Sequence, residues 1–107
     1  PTAHAEILAI TKASETTMDI DLNGCIIYTT CEPCPMCFAA IHWARIKKII
    51  FGVRIGDAES LGFNEIPVTN IKLNRDWNAG IELIQDFMRD ENLKLMELWR
   101  KLSNKPY

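Results

Sequence analysis

Three side chains that bind transition metals lie in two short segments of the chain. His4 begins a His-Ala-Glu triplet, and Cys34 and Cys37 bound a Cys-Pro-Met-Cys segment about thirty residues later. A structural zinc site is closed by four protein ligands, whereas a catalytic zinc site uses three and leaves the fourth position to water. The set His4, Cys34 and Cys37 therefore predicts a catalytic zinc centre with one open coordination position.

Glu6 follows the histidine by two residues and is the candidate acid–base group of this centre. Zinc lowers the pKa of a bound water toward neutrality, which makes a nucleophile available near pH 7. A carboxylate that is not itself a ligand can take a proton from that water and deliver it to a leaving group. We therefore expect Glu6 to act as the catalytic proton shuttle.

The two metal-binding segments are expected to lie at the starts of two helices. Residues 5–13 form a helical pattern directly after His4, and the prolines on either side of Cys34 are tolerated in a first helical turn. Cys34 and Cys37 are three residues apart and can share one helix face. Because helix N-termini favour negative charge, we expect this position to lower the pKa of the thiols and to favour thiolate ligands.

The remaining pattern predicts alternating helices and strands. Apolar periodicity and turn signals indicate helices at residues 4–14, 35–45 and 89–102, and strands at residues 24–30, 48–53 and 81–84. Residues 57–66 are expected to form a loop with one helical turn, and residues 68–78 to be irregular. This order favours an α/β fold in which helices join neighbouring strands.

Length and composition limit the class of protein. The 107 residues predict one domain, and a hydrophobic content of 48% is sufficient for a globular core. The net charge of −2, without a basic block, makes a nucleic-acid partner unlikely. Four cysteines with metal-type spacing indicate reduced thiols and a cytoplasmic setting. We expect neither a signal peptide nor a membrane span.

Other roles for the cysteines and for the second histidine remain open at this stage. Cys34 and Cys37 could form a redox pair, and Cys31 could either close the zinc site as a fourth ligand or line a pocket. Cys25 lies in an apolar run and is expected to be buried as a small hydrophobic side chain. His42 is expected to be a packed or half-exposed structural histidine.

Several motifs resemble those of the cytidine deaminase superfamily of zinc-dependent nucleobase and nucleoside deaminases. The H-x-E and P-C-x-x-C segments correspond to the signature of these enzymes. The CEPCPMC run at residues 31–37, the W-A-R at residues 43–45 and the D-A-E with a later G-F at residues 57–63 look most like bacterial guanine deaminases. The N-K-x-Y at residues 104–107 also resembles the end of those enzymes.

This resemblance implies a fold and an activity. The implied fold has three α/β/α layers, with a mixed sheet covered by helices on both faces. The implied reaction is the hydrolysis of guanine to xanthine and ammonia, a step of purine metabolism, in a homodimer that can exchange C-terminal segments. The matching base-binding positions are Glu65, where the family tends to have aspartate, and Tyr107. Without the resemblance, a solvated loop carboxylate and a frayed terminus would be expected there.

The chain departs from the superfamily at its N-terminus. Members carry a helix and two strands before the H-A-E motif, whereas here only residues 1–3 precede it, so we expect this single deaminase domain to be N-terminally incomplete. The alternative functions are a tRNA adenosine deaminase, a cytosine or cytidine deaminase, and a non-catalytic zinc-stabilised interaction module. An intact Glu6 favours an enzyme, because a structural zinc site needs no proton shuttle.

Overall fold

A three-stranded parallel sheet is the centre of the fold. The computed structural model describes residues 1–102, in which the strands are β1 (Ile26–Cys31), β2 (Lys48–Val53) and β3 (Glu82–Ile84). The strands lie in the order β1-β2-β3, and both neighbouring pairs are parallel. The sheet is therefore not mixed within the described part of the chain, in contrast to the expectation from the resemblance.

Five helices connect and cover these strands. Their bounds are α1 (Ala5–Thr17), α2 (Pro35–Trp43), α3 (Ile55–Ser60), α4 (Asn70–Asp76) and α5 (Arg89–Leu102). Across residues 1–102, none of the helices has both the length and the apolar character that crossing a bilayer requires. The prediction of alternating helices and strands is confirmed, with one additional helix, α4, in the stretch that was expected to be irregular.

Helices cover both faces of the sheet, which confirms the three-layer α/β/α arrangement. On one face, Ile27 of β1 and Phe51 of β2 form the main core with Phe38 of α2 and Leu73 of α4, and part of α1 packs against the same cluster. Side chains on successive strand residues point to opposite faces. The other face is covered by α5, which packs against β2. The sheet thus brings the starts of α1 and α2 to the same side of the molecule.

Helix α4 begins at a local capping interaction. The hydroxyl of Thr69 accepts a hydrogen bond from the backbone N–H of Lys72 at 3.2 Å, and Leu73 is buried against the core. A threonine at this position satisfies one of the free N–H groups of the first turn. The capping residue was visible in the sequence, but a single buried leucine in seven residues gave too little periodicity to predict the helix.

The start of α5 approaches β2 closely at Gly52. The side chain of Asn92 donates hydrogen bonds to the carbonyl oxygens of Phe87 (3.1 Å) and Met88 (2.9 Å), and the backbone N–H of Phe87 donates to the carbonyl of Phe51 at 3.0 Å. A Cβ atom on Gly52 would lie 2.1 Å from the amide nitrogen of Asn92 and 2.9 Å from the carbonyl oxygen of Phe87. Only glycine leaves room for this contact.

An ion pair also holds α5 to the rest of the fold. The guanidinium of Arg89 donates to both carboxylate oxygens of Asp57, at 2.5 and 2.6 Å. Asp57 also accepts from the backbone N–H of Arg54 at 2.9 Å, and the Arg89 hydrogen bonds hold the pKa of its carboxyl below the usual value of 3.8. The aspartate of the D-A-E motif therefore has a structural role, which is to join α3 to α5.

Replacing Gly52 with alanine should destabilise the fold. The added methyl group must displace the Asn92 side chain and the Phe87 carbonyl, and overpacking of this kind costs about 1–3 kcal/mol. Urea denaturation would measure the change in the free energy of unfolding. Gly56→Ala is the matched control: nothing lies within 4 Å of its Cβ position in α3, so this variant should be neutral or slightly more stable. Equal losses in both variants would contradict the proposed close approach.

Candidate metal centre

The candidate metal ligands lie where two helices begin beside the carboxyl end of β1. His4 is the N-cap residue of α1, and Cys34 is the N-cap residue of α2. Cys37 follows in the first turn of α2 and is fully buried. The prediction that two helix starts face one point is therefore confirmed. In open α/β sheets, sites form at the carboxyl ends of the strands, and this position agrees with that rule.

The distances between the three candidate ligands fit a tetrahedral metal ion. The Nδ1 atom of His4 lies 3.7 Å from the Sγ atom of Cys34 and 3.6 Å from that of Cys37. All three ligand atoms lie within 4.8 Å of one another. Zinc bonds of about 2.3 Å to sulfur and about 2.0 Å to nitrogen, at a tetrahedral angle, place such atoms about 3.6 Å apart. The two distances from His4 thus match those expected around a tetrahedral zinc ion.

Burial acts against ionisation of the buried thiol. Desolvation raises the pKa of the Cys37 thiol, and the negative charges of Glu6 and Cys34 raise it further. Burial and neighbouring charges thus oppose the lowering of the thiol pKa that is expected of a helix start. A cysteine binds a metal ion as the thiolate. Binding of a cation at this point is therefore coupled to release of the Cys37 thiol proton.

A cleft of about 670 Å³ opens beside the candidate ligands. His4, Glu6 and Cys34 line it together with Glu65 of the α3–α4 connection and Met96 of α5. A volume of this size is typical of sites for small molecules. The lining also contains backbone or side-chain atoms of residues 27–32 at the end of β1. The acid–base candidate Glu6 is therefore located where the ligand set faces the cleft.

The other cysteines lie apart from the ligand set. Cys31 is not part of the metal-ligating group and lines the cleft instead, which was one of the two alternatives for it. Its burial, with further contributions from Glu65 and Glu32, raises the pKa of its thiol to about 12. Cys25 is exposed, so the expectation of a buried side chain was wrong: it precedes β1 at a turn rather than lying within the strand. His42 is half-buried, as expected.

The two predicted base-binding residues have different outcomes. Glu65 lies in the cleft wall, close enough to Cys31 to raise the pKa of that thiol. Tyr107 lies outside the described residues.

The sequence reasoning missed Glu32 and Asn70, two buried polar residues behind the ligand segment. A carboxylate between two cysteines was a signal that could have identified Glu32, since acidic side chains are rarely buried without a specific partner.

Comparison with known proteins agrees with this geometry. Residues 1–53 match the family model described as the cytidine and deoxycytidylate deaminase zinc-binding region, and this match contains all three candidate ligands and Glu6. The guanine deaminase of Bacillus subtilis is 36% identical over 98% of this chain and 67% of its own length. The chain belongs to the cytidine deaminase superfamily. Its members are zinc-dependent hydrolytic deaminases.

Two further members of the superfamily show the range of its substrates. A solved structure of the guanine deaminase from Nitrosomonas europaea is 30% identical, with a TM-score of 0.83 over 94% of this chain and 58% of that protein. A tRNA-specific adenosine deaminase from Buchnera aphidicola is 32% identical over 89% of this chain and 60% of its own length. The chain thus spans about 60% to two thirds of these relatives.

Removing one cysteine ligand should abolish metal binding, whereas removing Cys31 should not. We expect Cys34→Ala to lose nearly all of its zinc and part of its stability, because metal binding and folding are coupled. The matched control, Cys31→Ala, should retain about one zinc ion per chain, since three protein ligands suffice in a catalytic site. Metal analysis after dialysis would measure both. Loss of zinc from the Cys31 variant would instead indicate a closed structural site.

Proposed function

We propose that the protein hydrolyses guanine to xanthine and ammonia at this centre. The observation that carries the proposal is the set His4, Cys34 and Cys37, whose spacing fits zinc, on a cleft that also contains Glu6. The 36% identity to a guanine deaminase over nearly the whole chain supports guanine as the substrate. Zinc bound by the three ligands would supply Lewis-acid activation of a water molecule at neutral pH.

Glu6 has the position required of the proton-transfer group. It lies in the first turn of α1, two residues from His4, and its charge acts on the Cys37 thiol, so its carboxylate is adjacent to the ligand set. We propose that it receives a proton from the attacking water and delivers protons to the ring nitrogen and the departing amine. One water is consumed and one ammonia is released, so the carboxylate returns to its ionised state.

Glu65 is the proposed base-binding residue of the described chain. The edge of guanine that carries N1–H and the 2-amino group presents two adjacent donors, and a carboxylate offers two acceptor oxygens. Adenine presents an acceptor at N1 and would oppose the same carboxylate. Glu65 lines the cleft that contains the ligand set. We propose on the resemblance that Tyr107 also holds the base.

A tRNA adenosine deaminase is the second candidate, since one such enzyme is 32% identical over most of the chain. The charge of the cleft favours a free base. Within the described chain, three acidic residues line the cleft, Glu6, Glu32 and Glu65, and no lysine or arginine is among its lining residues. Phosphate groups of a nucleic acid bind chiefly to lysine and arginine.

The homodimer and the cytoplasmic location remain predictions. Exposed apolar side chains of α5 support a dimer, because Leu95, Leu98 and Trp99 keep 51%, 52% and 38% of their surface exposed. Large apolar side chains in such a row often mark an interface. The four free cysteines agree with a reducing compartment, although the resemblance is the main reason for both predictions.

Ammonia release from a panel of substrates would test the proposed activity. We expect turnover of guanine and little or none of adenosine, cytosine or cytidine by the zinc-loaded protein. Glu65→Gln should raise the KM for guanine about tenfold or more, because a charge-assisted contact is lost. Turnover of another substrate alone would overturn the guanine assignment. A zinc-loaded protein that releases no ammonia from the panel or from tRNA would indicate a non-catalytic zinc module.

Replacing Glu6 with glutamine should separate metal binding from catalysis. The amide has nearly the same shape but cannot accept a proton, so we expect kcat to fall by about 10²–10⁴-fold. Zinc content should remain that of the unsubstituted protein, because Glu6 is not among the three ligands. Single-substrate kinetics and metal analysis on the same preparation would measure both quantities. A variant that retains its turnover would exclude Glu6 as the proton shuttle.

A further inference from the structure

A buried carboxylate lies directly behind the metal-ligand segment. Glu32 stands two residues before Cys34 and is only 5% exposed. Its Oε2 atom accepts a hydrogen bond from the backbone N–H of Ile55 at 3.0 Å, and its Oε1 atom accepts one from the backbone N–H of Asn70 at 2.6 Å. Burial of a carboxylate is unfavourable unless hydrogen bonds replace its water. Each carboxylate oxygen of Glu32 therefore accepts a hydrogen bond from a backbone N–H group.

The two donors belong to the first residues of two helices. Ile55 is the first residue of α3, and Asn70 is the first residue of α4. The backbone N–H of Glu32 itself donates to the carbonyl of Val53 at the end of β2, at 2.7 Å. The connection between α3 and α4 contains Glu65, which lines the cleft. Glu32 consequently fixes both sides of the segment that carries the proposed base-binding residue.

The side chain of Asn70 connects α4 to the segment that contains Cys34. It is fully buried, and its Nδ2 atom donates to the carbonyl oxygen of Pro33 at 2.7 Å. That carbonyl shares one planar peptide group with the nitrogen of Cys34, so fixing its direction also fixes the direction in which Cys34 continues the chain. These contacts form a closed cycle of hydrogen bonds. The Glu32 carboxylate accepts from the backbone of Asn70, and the side chain of Asn70 donates to Pro33, the residue after Glu32.

Asn70 bears a cost for this contact. Its Oδ1 atom is buried and has no hydrogen-bond partner among the described protein atoms. An unsatisfied buried oxygen reduces stability, whereas an apolar side chain of similar size would avoid that loss. An apolar residue at this position could not donate the hydrogen bond that the Asn70 amide makes to Pro33.

We propose that Glu32 and Asn70 are positioning residues, which hold the Cys34 thiol and the Glu65 segment in one fixed arrangement around the metal. Groups that orient metal ligands through hydrogen bonds typically change metal affinity or activity 10–100-fold when they are replaced. The proposal rests on the proposed zinc-dependent function. The test of the positioning role measures metal binding and not turnover. The positioning role can therefore be disproved while the proposed activity is upheld, and the proposed activity can be disproved while the positioning role is upheld.

Two substitutions interrupt the cycle at different points. Glu32→Gln keeps the shape of the side chain, but its amide group turns a donor toward one of the two backbone N–H groups. Asn70→Ala keeps the backbone N–H that Glu32 accepts and removes only the contact to Pro33. Leu73→Ala is the matched control, because it removes a buried side chain from the same helix, α4, without touching the cycle.

Two measurements would test the proposal: zinc affinity by competition with a chelating dye, and the visible spectrum of the Co²⁺-substituted protein. Both are made at a temperature where circular dichroism shows that each variant is folded. We expect Glu32→Gln and Asn70→Ala to bind zinc about 10-fold or more weakly and to shift the cobalt bands. Leu73→Ala should lose thermal stability but keep the affinity and the spectrum of the unsubstituted protein.

Two outcomes would overturn the proposal. Unchanged zinc affinity and cobalt spectrum in Asn70→Ala would show that the cycle does not position the ligand. An equal loss of affinity in Leu73→Ala would show that metal binding follows general stability instead. If Glu32→Gln does not fold, the comparison between Asn70→Ala and Leu73→Ala decides alone.

Discussion

The closeness of one imidazole to two thiols, at 3.7 and 3.6 Å, is the constraint on which the rest of this structure depends. Three such groups meet at this spacing only if two chain segments are held at one point. Here α1 and α2 begin beside the same end of the sheet, and each helix contributes its N-cap residue. Burial raises the pKa of the Cys37 thiol, and a bound cation would favour its thiolate form.

The parallel sheet and the helices that cover it hold the candidate metal ligands in place. The β1–β2 register places Cys31 opposite Val53, and the buried carboxylate of Glu32 then joins the ends of both strands to α3 and α4. On the opposite face, the missing side chain of Gly52 lets α5 approach β2, which brings Met96 to the cleft. The metal position and the cleft are thus set by contacts on both faces of the sheet.

The charge of the cleft fits the proposed substrate. The cleft contains carboxylates at Glu6 and Glu65, and its described lining has no cationic side chain. A carboxylate suits the two donors of guanine, whereas the N1 acceptor of adenine would oppose the same carboxylate. The guanine deaminase relative is 36% identical over 98% of the chain, and the tRNA adenosine deaminase relative is 32% identical over 89% of it.

The sequence by itself indicated the candidate zinc ligands and the candidate acid–base residue, because local spacing within two short segments points to them. It also indicated β2 and α5 with their observed bounds. Only the tertiary structure decided that α4 is a helix, that Cys25 is exposed, and that Glu32 and Asn70 meet behind Cys34. Glu32 and Asn70 are 38 residues apart. Contacts of that kind depend on how strands and helices pack, which no local pattern of residues encodes.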